Sequence, residues 1–157
     1  MQKGNALNTE NTNWGQSVTA VVIKDNKVLL VRHTYGNGKG MLIIPGGYVE
    51  YGETPQDAVV REFKEETNIT IKPNKIIGIR FNTKDWYIAF SADYISGATQ
   101  SDGDENDLVL WLDIDEALSR DDVPELTKSL VKCALNGKGL KETEYNGSNA
   151  PCSLFVI

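Results

Sequence analysis

The stretch GYVEYGETPQDAVVREFKEETNI, residues 47–69, decides how the rest of the chain is read. Its middle carries helix-start chemistry. Thr54 is a natural N-cap, Pro55 fits the first helical position, and Asp57 completes a capping-box-like pattern. The spacing of apolar residues predicts a helix from 55 to about 67. At about 100° per residue, Glu62, Glu65 and Glu66 share one arc, and Val59, Val60 and Phe63 occupy the adjoining arc. One side of the helix can therefore anchor in a core while the carboxylates face a cleft. Like charges so placed repel by a few tenths of a kcal/mol per pair. Either the face is solvated and the cost trivial, or a cation sits there. Three carboxylates on a rigid helix suit a hard divalent ion with oxygen ligands. Acidic pairs on solvated helix faces are also common, so the three residues alone do not assign a metal.

Upstream, SVTAVVIKDNKVLLVRHT reads as two strands, 17–24 and 27–33, joined by a hairpin turn at Asp25-Asn26. YGNGKG, 35–40, is a loop, and MLIIPGG is a short apolar strand stopped by Pro45, Gly46 and Gly47. Downstream, KIIGIRF and WYIAFSADYI are expected strands, SGATQSDGDEND (96–107) an acidic loop, and LVLWL another strand. Short helices are expected at 114–119 and 123–135, the second with apolar spacing at Leu126, Leu130 and Val131. Residues 1–15 read as a flexible polar arm, 16–135 as the folded domain, and 136–157 as a tail. The apolar ending CSLFVI gives that tail a means of docking on the domain or on a partner subunit in a homodimer.

The 157 residues suit one domain with a substantial core, and the 40% hydrophobic and 24% charged fractions are ordinary for a globular protein. A net charge of −6 argues against nucleic acid as a partner, which would call for a basic stripe. It permits an anionic small substrate if a metal supplies positive charge. No apolar run approaches the ~18 residues of a membrane span, and the N-terminus has no apolar core of a signal peptide. Cys133 and Cys152 have no ligand-like spacing and read as reduced, buried thiols, so a cytoplasmic location is expected.

The quoted stretch resembles the Nudix box, G-x5-E-x7-R-E-U-x-E-E-x-G-U, where U is a bulky apolar residue. Gly47, Glu53, Arg61, Glu62, Phe63, Glu65, Glu66 and Ile69 match, eight of nine specified positions over 23 residues. The ninth departs: Asn68 stands where glycine is usual. That position reads as the helix C-cap, and asparagine is the best non-glycine residue for a left-handed conformation. The resemblance implies an α/β fold, a Nudix-type α/β/α sandwich with a mixed β-sheet between helices. It also implies hydrolysis of a diphosphate linkage in a nucleoside diphosphate derivative, either a nucleoside triphosphate or a nucleotide sugar such as ADP-ribose. The competing class is a Nudix module that senses a nucleotide without cutting it, and the intact carboxylates count against it.

By that resemblance Glu62 and Glu66 ligate the metal directly, Glu65 binds it directly or through water, and Gly47 lets backbone approach it. The ion is expected to be Mg²⁺, with Mn²⁺ as a substitute. Glu53 and Arg61 look like an orienting pair in the catalytic set. Glu105, on the acidic loop before LVLWL, is the expected general base, although a solvated loop position is the plainer reading. Arg32 and Tyr87 are the expected substrate-binding residues. Trp86 and Phe90 are further candidates for stacking a base, and His33 has an expected structural or substrate-edge role.

Overall fold

Asp25 and Asn26 both take the left-handed conformation, at φ 50 and 59, which a two-residue hairpin turn demands. They join β1 (Gly15–Lys24) to β2 (Lys27–His33), as the sequence predicts. The structure, a computed structural model, describes residues 15–147 and 151–157. Residues 1–14 of the expected arm lie outside the described residues, and Gly15, also expected in the arm, begins β1.

β1 alternates its faces over a long buried run, and the two faces feed two cores. Val18, Ala20 and Val22 pack with Ala58, Val59 and Phe63 of α1 (Pro55–Thr67). Val21 packs on the other face with Ile114 and Ala117 of α2 (Ile114–Ser119) and Leu130 and Val131 of α3 (Glu125–Asn136). This is the α/β/α sandwich. Between its helical layers lies a mixed sheet: β1 runs parallel to β6 (Asp85–Ser96), and the other pairings are antiparallel. β2 leaves β1 after the hairpin to pair with β3 (Leu42–Ile43) and β7 (Asn106–Asp113).

Several expected boundaries shift for physical reasons. Gly46 and Gly47 do not merely stop a strand. With Tyr48 they form β4 (Gly46–Tyr48), paired with Thr19, Val18 and Ser17 of β1. A Cβ on Gly46 would collide with the Val18 carbonyl oxygen, so this close pairing requires glycine. β5 (Thr70–Phe81) begins before the expected KIIGIRF and contains Pro73, which has no N–H for a ladder. Bulges between Pro73 and Lys75 and between Ile76 and Gly78 accommodate it.

The chain after α3 adds two strands to the sheet beyond β5: β8 (Leu140–Thr143) and β9 (Leu154–Val156). Phe155 meets Phe90 edge to face with centroids 5.9 Å apart, and Gln56 Nε2 of α1 donates to Ser153 Oγ at 2.7 Å. Phe90 is thereby fully buried in the core, which removes it from the base-stacking candidates. Cys133 is half-buried, while Cys152 is exposed rather than buried because it lies ahead of the docked strand. No helix among the described residues is long and apolar enough to cross a membrane.

Candidate active site

The start and stop of α1 fix where its carboxylates point. The Thr54 hydroxyl accepts from the Asp57 backbone N–H at 3.3 Å and donates to the Asp57 carboxylate at 2.9 Å. At the other end Asn68 takes φ 62 and ψ 12, and its backbone N–H closes on the Lys64 carbonyl. Its amide donates to the Ala98 carbonyl at 3.1 Å and its Oδ1 accepts from Lys64 Nζ at 2.9 Å. The asparagine therefore caps the helix and also ties it to the following chain.

Arg61 organises the acidic face. Its Nη2 and Nε donate to the two oxygens of Glu53 at 2.7 and 3.1 Å, and Nη1 donates to Glu62 at 2.8 Å and Glu65 at 3.3 Å. Nη2 also reaches the Tyr48 carbonyl at 3.0 Å, fastening the helix to β4. The Arg61 bridge holds the Glu53 carboxyl below its ordinary range, whereas burial pushes that of Glu62 up despite the same guanidinium. A Cβ on Gly47 would overlap all three carboxyl atoms of Glu62. The carboxylate of Glu62 thus lies directly against the backbone of β4, and only glycine leaves it room.

Glu66 is the most deeply set of these groups, 3% exposed. Burial comes first among the causes that push its carboxyl up to about 9, followed by Glu62, Glu105 and Asp102, while a hydrogen bond with the Gly46 backbone opposes the shift. Its Oε1 is buried and has no hydrogen-bond partner. Asn106, fully buried at the start of β7, donates Nδ2 to the Glu66 carbonyl at 3.0 Å and so fixes this turn of helix. Sequence reading missed Asn106, placed there within an acidic loop; its partner is 40 residues away.

Glu105 faces the same region. The Tyr35 hydroxyl donates to its Oε2 at 3.3 Å, and Thr34 holds its backbone carbonyl through both N–H and hydroxyl at 3.1 Å. Tyr35, stacked on His33 at 5.0 Å, has its hydroxyl pushed up to about 12 by burial first and then by Glu105. His33 thus supports Tyr35 at the rim.

The structure separates the two expected substrate residues. Arg32 is bound bidentately to Asp107, at 2.7 and 3.1 Å, on an exposed part of β2. Tyr87 is set in the sheet beside Thr19 and Arg80, with its hydroxyl pushed up chiefly by burial. Trp86 is 45% exposed and edge-on to Phe81.

Among the described residues no three acidic, histidine or cysteine side chains are already drawn together around one point as ligands would be. Arg61 holds Glu62 and Glu65 instead. The donor set nevertheless fits a divalent cation on its own chemistry. It combines hard carboxylate oxygens, an orphaned oxygen on buried Glu66, and a strand of two glycines whose backbone lies against the carboxylates.

The chain resembles known proteins in both sequence and fold. The NUDIX domain family model matches residues 14–132. A MutT-like protein of Streptomyces ambofaciens is 31% identical over 134 residues, 85% of this chain and 84% of its own. An ADP-ribose pyrophosphatase of Methanocaldococcus jannaschii is 44% identical over 63 residues, but that match spans only 40% of this chain and 37% of the relative. A NUDIX hydrolase of Nitrosomonas europaea superposes with a TM-score of 0.73 at 26% identity, over 87% of this chain and all of that one.

Proposed function

The chain belongs to the NUDIX family, and on that premise we propose that it hydrolyses a diphosphate linkage in a nucleoside diphosphate derivative, with Mg²⁺ as cofactor and Mn²⁺ able to replace it. The single observation that carries this reading is Glu66: a buried carboxylate with one orphaned oxygen, set beside Glu62 and the Gly46-Gly47 backbone. Burying a carboxyl with one oxygen unpaired costs a few kcal/mol, a cost that a metal ligand's role accounts for. Nucleoside triphosphates and nucleotide sugars are both candidate substrates, and the name of the archaeal relative brings ADP-ribose forward.

In this reading Glu62 and Glu66 hold the metal, with Glu65 the third carboxylate on the exposed side. An ion held there would neutralise diphosphate oxygens and lower the pKa of an attacking water. Arg61 keeps Glu53, Glu62 and Glu65 in register so that the ligands are oriented before substrate arrives. Glu105 takes the proton as water oxygen bonds to phosphorus. The bridging P–O bond breaks, and its electron pair leaves with the departing phosphate. The hydroxyl of Tyr35 and the backbone of Thr34 place the Glu105 carboxylate for that role.

The test is product release from a panel of nucleoside triphosphates, ADP-ribose and other nucleotide sugars in Mg²⁺, with Glu66→Gln as control. Hydrolysis of at least one class that is lost in the variant is the expected result. Tight nucleotide binding without turnover of any panel member would instead make the protein a sensor.

A further inference from the structure

Four strands place one lateral row of side chains on the face turned away from α1. Tyr48 of β4 lies opposite Ser17 of β1, Ser17 opposite Tyr87 of β6, and Tyr87 opposite Arg80 of β5. Paired residues of adjacent strands share a face, so the row is continuous. The next row inward, Gly78 opposite Ala89, is covered by α3: a Cβ on Gly78 would come within 2.9 Å of Leu130 Cδ2. Arg80 lies one step beyond that cover and keeps 40% of its side chain exposed.

The end of this row is a constructed arrangement. The Arg80 guanidinium lies over the Tyr87 ring at 5.1 Å and donates Nη2 to Asp85 Oδ1 at 2.8 Å. The other carboxylate oxygen of Asp85 accepts from Ser17 Oγ at 3.1 Å. Arg80 Nε is buried and makes no hydrogen bond. The row is also connected to the carboxylates. Tyr87 lies beside Thr19, Thr19 Oγ1 donates to the Pro45 carbonyl at 2.6 Å, and the next residue, Gly46, lies beside Glu66. From β4 to β5 is three strand spacings, about 14 Å. That suits a ribose and a base reaching outward from a diphosphate held at β4.

We infer that Arg80 is the nucleobase contact of the site, taking the face of the base on the outer side of its guanidinium while Tyr87 supports the inner side. This rests on the hydrolase reading above and names the residue that positions its nucleobase. A planar cation between two rings gains from both π systems. Both oxygens of Asp85 are engaged within the fold, so recognition at Arg80 runs through the ring face rather than the base edge. Every base has such a face. The substrate class is therefore nucleoside diphosphate derivatives with little discrimination among bases. Arg32, expected from sequence to bind substrate, is engaged by Asp107 through both oxygens.

The experiment measures binding of AMP, GMP, UMP and ribose 5-phosphate to the full chain in Mg²⁺ by calorimetry. The three nucleotides should bind within a few-fold of one another and each at least ~5-fold more tightly than ribose 5-phosphate. Arg80→Ala should abolish that margin and leave ribose 5-phosphate unchanged. Arg80→Lys, which keeps the charge opposite Asp85 but loses the plane, should also abolish it, and it decides the matter if Arg80→Ala does not fold. An unchanged margin in Arg80→Lys overturns the inference, as does equal weakening of ribose 5-phosphate, which would make Arg80 a phosphate contact. A strong preference of the wild type for one base overturns recognition by ring face. Wild-type protein that cleaves the nucleotide panel but shows no margin overturns this inference alone. Protein that shows the margin yet cleaves nothing supports Arg80 as the base contact and overturns the hydrolase reading.

Discussion

Glu66→Gln is expected to strengthen the fold and abolish the function. In the metal-free protein burial, Glu62, Glu105 and Asp102 hold the Glu66 carboxyl near pKa 9, against an ordinary value of 4.5. At pH 7 it is protonated when folded and ionised when unfolded. The difference between 7 and 4.5, at 1.36 kcal/mol per pH unit, withholds about 3 kcal/mol from folding. Glutamine keeps the volume and cannot ionise, so the metal-free variant should be more stable than its parent by ~1–3 kcal/mol at pH 7, allowing for an imperfectly bonded amide. The sign follows from a carboxyl whose folded pKa is raised. Below about pH 4.5 both states bind the proton and the advantage is absent; it grows as pH rises toward 9 and then levels off.

Divalent cation should reverse the order. Mg²⁺ binds the ionised carboxylate, so it should stabilise the parent increasingly as pH rises and the glutamine variant little. Urea denaturation of both proteins in EDTA and in excess Mg²⁺, across that pH range, reads both effects. Turnover in the panel assay should fall by at least ~10²-fold. A variant less stable than its parent in EDTA at pH 7 refutes the reading of Glu66 as a buried, strained carboxyl. Equal Mg²⁺ stabilisation of both proteins, or near-normal turnover of the variant, refutes its role as a ligand.

Four further substitutions, one of them a control, separate the remaining roles. Glu105→Gln should lower kcat by at least ~10-fold with little change in KM, whereas Asp104→Asn should leave both near normal; comparable losses in the two would move the base elsewhere. Gly47→Ala drives a methyl into the Glu62 carboxyl, so turnover should drop by at least ~10-fold in a protein whose circular dichroism is unchanged, and full activity would show that Glu62 has room to give way. Asn68→Gly trades two side-chain hydrogen bonds for an easier left-handed cap, and chemical denaturation should register less than ~1–2 kcal/mol with activity within a few-fold.

What the sequence revealed was local. The α1 cap at Thr54, the turn at Asp25-Asn26 and the left-handed Asn68 depend on residues within a few positions, and the structure has all three. The common face of Glu62, Glu65 and Glu66 follows from helical period alone, whereas the Glu53–Arg61 pair was legible only through the family resemblance. The illegible features each need a distant strand. Gly46-Gly47 read as a stop because its partner is Val18–Thr19 of β1. Asn106 read as loop because its partner is the Glu66 carbonyl. Phe90 read as a stacking candidate because Phe155, which helps bury it, comes from the last residues of the chain. Arg80 carried no signal, since its meaning comes from lying opposite Tyr87 across a bulged strand pair.

The charges around the site also determine how a substrate must lie. Glu53, Glu62 and Glu65 share the one guanidinium of Arg61, while Glu66 lies beside Glu62 and Glu105. Protonation of Glu66 still leaves the group strongly negative, so a diphosphate is repelled from this end unless a divalent ion accompanies it. Arg80, at the far end of the row, favours the opposite: a cation over an aromatic ring attracts either a base or a phosphate. The metal of the proposed mechanism would thus do more than activate water. By offsetting part of that negative charge and binding the phosphate oxygens itself, a divalent ion would, in the proposed reading, favour the orientation with the diphosphate beside Glu105 and the base on Arg80. The reversed orientation would leave the scissile bond about three strands away from any carboxylate placed to accept a proton.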